Sequence, residues 1–404
     1  MDSNINPKRV LLLYSGGLDT SCMLKWIPQH YGDCEMVTLT LDLGQGEDLE
    51  AAKGKALALG ALDARVLDAR QRFAQGFLTP AIQANALYQD QYPLATALAR
   101  PLIAEVAVEV ARQVGADAIA HGCTGKGNDQ VRFEVSIQAL DPDLHVIAPV
   151  RQWNMTRDVE IKYAKANGVP LPGALNTEYS VDANLWGRSI ECGVLEDPAC
   201  EPPAEIFTLA VSPQQAPDEP DCIEIHFESG VPVALDGKTL SLVDLIEALN
   251  ARAGAQGVGI VDMVEDRVVG LKSREIYEAP AAVTLIHAHR DLERFCSTIH
   301  QNEFKPWVDR RFGELVYKGL WHDPLCQNLQ AYLQAANEPV SGTVRVKLYK
   351  GRALVVGRRS DHGLYDHNLI SYRSGHTFNQ EDSVGFIQLW GLPTRSAHRI
   401  KVKA

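Results

Sequence analysis

Apolar residues follow two rhythms over the first 170 positions. Short β-type runs occur at 10–14, 36–41, 64–67, 118–121 and 145–150. Between them lie stretches with helical spacing. Residues 48–59 carry Ala and Leu at helical steps and stop at Gly60. Residues 101–114 repeat apolar positions at Leu102, Ala104, Val106, Val110 and Val114 and stop at Gly115. Residues 155–167 end at Gly168, with Pro170 just beyond. A glycine after the last periodic residue is a common helix stop. Strand–helix alternation of this kind predicts βαβ units, hence a Rossmann-like parallel sheet with helices on both faces. Such sheets bind ligands outside the carboxyl ends of their strands. Two polar, glycine-rich stretches follow the first and fourth runs, beginning at Ser15 and His121.

The rhythm then changes. Residues 196–221 hold six of the 21 prolines and several acids, which predicts a loop or an extended connection. Residues 222–227 and 258–264 read as strands, 242–251 as a helix, and 279–336 as mostly helical. Residues 340–356 read as a hairpin turning at Lys350-Gly351. The expected fold is therefore α/β: a nucleotide-binding domain over 1–170, a mixed α+β domain over 171–365 and a C-terminal extension over 366–404.

Length and composition fit this division. A chain of 404 residues with 46% hydrophobic positions can bury two or three cores. The net charge of −12 argues against a non-specific nucleic-acid or membrane-surface binder, which needs a basic face. The first eight residues are polar, so no signal peptide is expected, and no run reaches the ~18 apolar residues of a membrane span. Eight scattered cysteines without a Cys-x-x-Cys pair predict reduced thiols and a cytoplasmic location, not disulfides or a zinc site.

The first polar stretch is Tyr14-Ser-Gly-Gly-Leu-Asp-Thr-Ser21. Glycines after a strand let the backbone approach an anion, and helix-start amides can then cradle it. Ser15, Thr20 and Ser21 add hydroxyls. The stretch is neither a dinucleotide fingerprint nor a Walker A loop, and neither is Gly122-Cys-Thr-Gly-Lys-Gly127. The plain alternative is a strand-to-helix turn capped by Asp19 or Thr20. The full string resembles the pyrophosphate loop of ATP pyrophosphatases, which cleave ATP between its α and β phosphates. That resemblance implies that the loop grips pyrophosphate and that Asp19 helps to hold Mg2+.

The second stretch is Ala120-His-Gly-Cys-Thr-Gly-Lys-Gly-Asn-Asp-Gln-Val-Arg-Phe-Glu134. A capped helix needs one polar residue, not six. Together with the first loop, this string resembles the argininosuccinate synthase family. The resemblance continues through Ala86-Leu-Tyr-Gln-Asp-Gln-Tyr92, Leu98-Ala-Arg-Pro101 and Tyr179-Ser-Val-Asp-Ala-Asn-Leu-Trp-Gly-Arg-Ser189. It extends to Lys272-Ser-Arg-Glu-Ile-Tyr277 and Glu314-Leu-Val-Tyr-Lys-Gly-Leu-Trp321.

That family condenses citrulline and aspartate with ATP through a citrullyl-adenylate, releasing AMP and pyrophosphate. The resemblance implies that Leu13, Tyr14, Ser15, Gly16, Gly17, Leu18, Asp19, Thr20, Ser21, Leu41 and Gly122 contact ATP. It implies that Thr124, Asn128 and Asp129 hold aspartate. Tyr92, Asn128, Arg132, Ser180, Ser189, Glu265 and Tyr277 would hold citrulline, in a cleft between the first two domains. Asp19, Asp129 and Arg132 are the expected catalytic residues. The family commonly has a serine at Ala97 that touches citrulline; alanine cannot donate, so Thr96 or water would replace it.

The resemblance also implies a homotetramer with an oligomerising C-terminal tail, whose Phe386, Ile387, Leu389 and Trp390 need covering. His287-Ala-His289 lacks a third ligand at metal spacing and reads as a helix or strand face. Trp307 and Trp321, in a helical zone, read as packing. Two other functions stay open at this point: another pyrophosphate-loop adenylating synthetase, and a non-catalytic ATP-binding protein of the same fold.

Overall fold

The computed structural model describes residues 5–153, 155–171, 179–373 and 377–403. The chain divides into two compact units, Met1–His362 and Gly363–Ala404. The expected boundary at 170/171 abuts residues 172–178, which lie outside the described residues. The same holds for half of the leading polar segment, residues 1–4.

The first unit opens with β1 (Arg9–Leu13), β2 (Glu35–Asp42), β3 (Asp63–Asp68), β4 (Ala118–Ala120) and β5 (His145–Ile147). They form one sheet in the order β3-β2-β1-β4-β5, with every pairing parallel. Side chains alternate across it, and each face has its own core. Leu11, Val37 and Leu39 join one cluster, whereas Val10, Leu12 and Met36 join the other. Helices α1 (Leu18–Tyr31), α2 (Leu49–Ala58), α3 (Ala95–Val114) and α4 (Asp129–Leu140) connect the strands. The strand order reverses between β1 and β4, so the crevice at their carboxyl ends is the switch point where such sheets take ligands. Both glycine-rich stretches open onto it.

One local expectation changes, and one helical segment carries no sequence signal. Helix α3 begins at Ala95, not at Pro101, which sits inside it. Residues 70–83 are helical as Arg70–Phe73, a π-type turn Ala74–Leu78, and Thr79–Gln83. Gly76 and Pro80 look like breakers in sequence. The wide turn absorbs the first, and Pro80 lies in the opening turn of Thr79–Gln83, where no amide donor is needed.

Next come β6 (Ser180–Asn184), β7 (Gly187–Glu191), β8 (Asp221–Glu228), β9 (Val231–Leu235), β10 (Lys238–Thr239), β11 (Ile260–Asp266), β12 (Lys272–Glu278), β13 (Gly342–Tyr349) and β14 (Arg352–Arg359). They make two antiparallel sheets, ordered β11-β12-β7-β6 and β10-β9-β8-β13-β14. The β13–β14 hairpin turns at Lys350 and Gly351, both at positive φ. Helix α5 (Leu242–Ala255) covers the helix expected over 242–251, and α6 (Pro280–Cys296), α7 (Ile299–Tyr317) and α8 (Pro324–Asn337) fill the zone expected to be mostly helical.

His289 is a packing residue, with Nδ1 2.7 Å from Asn85 Oδ1 and Nε2 2.7 Å from Asn337 Oδ1. Trp321 is buried against Phe77, ring centroids 4.6 Å apart. Trp307 corrects the expectation of packing. The inward face of α7 carries Lys305, Val308, Phe312, Leu315 and Val316, and Trp307 points away from it, 71% exposed.

The second unit contains helices His367–Ile370, Asp382–Trp390 and Leu392–Lys403. Neither of the first two buries a residue, and Phe386 and Trp390 stack on each other at 5.5 Å while both remain exposed.

Candidate active site

At the end of β1 the chain turns through Ser15, Gly16 and Gly17. Gly16 has φ +77°, and a Cβ there would lie 3.1 Å from the Ala52 Cβ of α2. Lys55 Nζ, also on α2, donates to the Gly16 carbonyl at 2.8 Å. Gly17 is the cap of α1 and provides no side-chain acceptor. The hydroxyls nearby bond locally: Ser21 Oγ donates to the Gly17 carbonyl at 2.6 Å, and Ser15 Oγ lies 3.2 Å from Thr20 Oγ1 and accepts from the Gly17 amide at 3.3 Å. Gly17, not Asp19 or Thr20, is the cap of α1, so the amides after Gly17 keep the anion-binding character of a helix start without a side-chain cap. The capped-turn alternative therefore fails here.

Across the switch point, His121 follows the end of β4. The Cys123 amide donates to His121 Nδ1 at 3.2 Å, which leaves Nε2–H to donate to Glu134 Oε1 at 3.2 Å. Arg151 backs Glu134 at 2.7 Å. His121 and Glu134, at the two ends of one motif, thus pin the loop between them. A Cβ on Gly122 would sit 3.3 Å from Thr20 Cγ2, so the two glycine-rich turns are neighbours.

Asp129 and Arg132 lie one turn apart on α4, bonded at 2.8 Å. Arg132 Nε donates to the Tyr317 carbonyl at 2.9 Å, and its guanidinium stands 4.8 Å from the Tyr317 ring centroid. Its Nη2 is buried and has no hydrogen-bond partner among the described residues. A buried guanidinium nitrogen left unpaired is costly, so this donor suits a ligand acceptor. Asn128 is engaged at both ends: Nδ2 donates to Tyr317 Oη at 2.9 Å and Oδ1 accepts from the Val268 amide at 2.8 Å.

The opposite wall is the β11-β12-β7-β6 sheet. Strand alternation puts Ser180 and Asp182, Ser189 and Glu191, and Glu275 and Tyr277 on the cleft side. Buried Glu265 accepts from Tyr277 Oη at 2.5 Å and also from Tyr317 Oη. Tyr92 stacks on Tyr277 at 3.9 Å and Tyr88 on Tyr317 at 3.4 Å. Burial raises the phenols of Tyr92, Tyr277 and Tyr317, and pushes Tyr88 up to about 12. They stay protonated at neutral pH and remain donors.

These walls enclose a cleft of about 550 Å3. Leu13, Tyr14, Ser15, Gly17, Asp19, Thr20, Leu41 and Gly122 line it. Gly16, Leu18 and Ser21 do not: Gly16 rests on Ala52, Leu18 packs into the core below, and Ser21 is buried against Tyr14 Oη and the Gly17 carbonyl. Any contact of theirs with a ligand would go through backbone. Leu41 is nearly buried, and its carbonyl accepts from Gln45 Nε2 at 2.8 Å. Tyr92, Thr96, Thr124, Asn128, Asp129, Arg132, Ser180, Ser189, Glu265 and Tyr277 all line the cleft. Ala97 is fully buried behind it, and Thr96 takes the wall position.

Sequence reasoning missed several wall residues. Arg100 donates to Asp129 Oδ2 at 2.7 Å and also to Asp182. Burial works to raise the Asp129 carboxyl, but Arg100 and Arg132 hold it below its ordinary value. Burial raises Asp182, with Arg100 opposing and Asp129 adding to the rise. Arg267 pairs with Glu275 at 2.8 Å and with Glu191. The only available signal was Leu98-Ala-Arg-Pro101 for Arg100 and, for Glu275, Lys272-Ser-Arg-Glu-Ile-Tyr277.

No three His, Cys, Asp or Glu among the described residues form a metal-binding group. One carboxylate at Asp19 beside hydroxyls suits a hard cation held mainly by phosphate oxygens, as Mg2+ commonly is. No helix among the described residues is long and apolar enough to cross a membrane.

Family comparison accounts for nearly the whole chain. The arginosuccinate synthase N-terminal HUP domain matches residues 9–170, and the arginosuccinate synthase C-terminal domain matches residues 179–397. The argininosuccinate synthase of Rubrobacter xylanophilus is 55% identical over 391 residues, 97% of this chain and 95% of that one. That of Oceanobacillus iheyensis is 51% identical, covering 97% and 94%. That of Streptococcus uberis is 50% identical, covering 99% of each.

Proposed function

The chain belongs to the argininosuccinate synthase family, and from that premise we propose how its cleft joins citrulline to aspartate. The enzyme is an ATP-dependent carbon–nitrogen ligase of arginine biosynthesis, forming argininosuccinate, AMP and pyrophosphate. The ureido carbon of citrulline is deactivated by two nitrogens, and its oxygen leaves poorly. Attack of that oxygen on the α-phosphorus expels pyrophosphate and makes the oxygen part of AMP. The amine of aspartate, after losing a proton, then attacks the ureido carbon and AMP departs. Such a reaction asks for positioning and charge stabilisation more than for covalent help from the protein.

The amides at the start of α1, with Ser15 and Thr20, hold the leaving pyrophosphate. Mg2+ at Asp19 neutralises phosphate charge when bound. Thr124 and Asn128 donate to the carboxylates of aspartate, and Asp129 accepts from its ammonium group. The Asn128 amide nitrogen has two N–H groups and Tyr317 Oη takes one, so the second is the donor for aspartate while Oδ1 stays on the Val268 amide. The unpaired Nη2 of Arg132 takes the citrulline carboxylate, and Glu265, with Tyr277, faces its ammonium group. Ser180, Ser189 and Tyr92 complete that subsite, with Thr96 standing where the family serine would act.

The observation that carries this reading is convergence. An uncapped helix start and a second glycine-rich turn meet at the β1–β4 switch point, opposite a sheet face that offers both acids and hydroxyls. With ATP and Mg2+, pyrophosphate release should require citrulline. Citrulline labelled with heavy oxygen on the ureido group should deliver that label to AMP; label retained in the condensed product would refute the adenylate route.

The exposed apolar side chains of the tail support a homotetramer. All eight cysteines are unpaired, which supports a cytoplasmic location.

A further inference from the structure

The turn joining β11 to β12 reaches across the cleft. Its tip spans residues 266–271, closed by the Arg267 amide on the Leu271 carbonyl at 2.8 Å and by Gly270 at positive φ. On one side the tip is tied to the stretch before α3. Tyr88 Oη donates to the Asp266 carbonyl at 2.7 Å, and Gln89 Nε2 donates to Asp266 Oδ2 at 2.7 Å. On the other side it is tied to the glycine-rich loop after β4. Arg267 Nη1 donates to the Lys126 carbonyl at 3.3 Å, and the Val268 amide donates to Asn128 Oδ1 at 2.8 Å.

That loop needs such support. Thr124, Gly125 and Lys126 are exposed. Its internal bonds are Gly127 N–H to the Thr124 carbonyl at 3.3 Å, and Gln130 Nε2 to the Gly125 and Gly127 carbonyls. Two glycines flank Lys126, so the backbone there is intrinsically loose. Arg267 is well placed to hold it. Its side chain is 15% exposed, and its other guanidinium nitrogen is fixed by Glu275 at 2.8 Å and by Glu191. A guanidinium anchored on two carboxyl groups is a stiff donor, because its planar fork cannot swing without breaking those bonds.

We propose that Arg267 is a positioning residue for aspartate capture: it holds the Lys126 backbone so that Thr124 and Asn128 present their donors at one geometry. Glu191 and Glu275 fix its direction. Citrulline activation, as assigned above, uses the α1 end of the cleft with Arg132, Ser180, Ser189, Glu265 and Tyr277; the clasp meets the sheet wall at Glu191 and Glu275 and bonds to none of those side chains. The second half-reaction should therefore suffer and the first should not. The inference rests on Thr124 and Asn128 as the aspartate subsite.

The test measures two quantities on the full-length enzyme: citrulline-dependent pyrophosphate formation without aspartate, and the KM for aspartate in the complete reaction. For Arg267→Ala, the aspartate KM should rise by at least about tenfold, because loosening a donor loop misplaces its groups. Pyrophosphate formation should stay within about twofold. Arg267→Lys should recover part of the loss by restoring the charge without the fork. Arg267→Met with Glu275→Gln removes the clasp together with the carboxyl it is anchored on, and it serves if the alanine variant does not fold. An unchanged aspartate KM in whichever of these folds overturns the proposal, as does equal loss in both half-reactions. Thr124→Ala separates the two ideas. If it leaves the aspartate KM unchanged, the subsite reading fails. If it raises that KM while the Arg267 variants do not, the clasp alone fails.

Discussion

Glu275 is a carboxyl set where a second negative charge is poorly tolerated. It is buried on the cleft wall beside Glu191, and the two share Arg267. Burial first, and then Glu191, push its pKa up from 4.5 to about 8. The native state therefore holds a proton that the unfolded chain has released over that interval. The stabilisation is complete below 4.5 and is lost as pH rises through about 8. Glu275→Gln removes this titration and keeps the shape. Unfolding curves should show the wild type losing stability between about pH 4.5 and pH 8, with a shallower fall for the variant. Equal slopes would mean that Glu275 is already ionised in the native state. Residues at this scale were legible only where a motif named them. Thr124, Asn128 and Arg132 stand in one contiguous string. Arg100 and Arg267 take their meaning from partners 82 and 141 residues away, Asp182 and Lys126, and no local pattern announces such a pairing.

Among the elements, α2 has an unusual task. Only Ala56 of its residues is fully buried. Its firmest inward contacts are Ala52 beneath Gly16 and Lys55 on the Gly16 carbonyl. The helix is a bracket for the pyrophosphate loop. Gly16→Ala should disturb this bracket in two ways: the backbone is left-handed at φ +77°, and the new Cβ meets Ala52 at 3.1 Å. The strain costs about 1 kcal/mol or more, and relieving it moves the loop. ATP affinity measured by calorimetry should fall by at least about tenfold while the far-ultraviolet spectrum stays native. Affinity within about twofold of wild type would show that α2 tolerates the methyl group. Elements themselves were largely readable. Alternating apolar runs marked β1, β2 and β3, and glycine stops marked α2 and α3. The stretch from Arg70 to Gln83 was not readable, because Gly76 and Pro80 end helices in most settings and here sit in a π-type turn and a helix start. Helix α3 hid its first turn for the same reason, with Pro101 inside it.

At the scale of the molecule, the unit Gly363–Ala404 poses the largest question of stability. Its helix Asp382–Trp390 carries Val384, Phe386, Ile387, Leu389 and Trp390, and the last is 76% exposed. A patch of this kind left in water forfeits roughly 25 cal/mol per Å2 that burial would recover. About forty residues with no core of their own rarely hold a fold without outside support. The apolar pattern of the tail was visible in sequence, but what covers it was not, because a covering surface on another copy leaves no periodic signal in the segment it covers. Trp307 illustrates the same limit: helical spacing alone did not tell an inward face from an outward one. If further copies of the chain cover the tail, ending the chain after His362 should change assembly and leave the first unit folded. Sedimentation should then show a single chain where the full-length protein sediments as a tetramer, with the thermal transition of the first unit lowered but still cooperative. Two results would count against this. One is a full-length protein that is itself monomeric. The other is a shortened protein that keeps the full assembly, which would place the oligomer interface within the first unit.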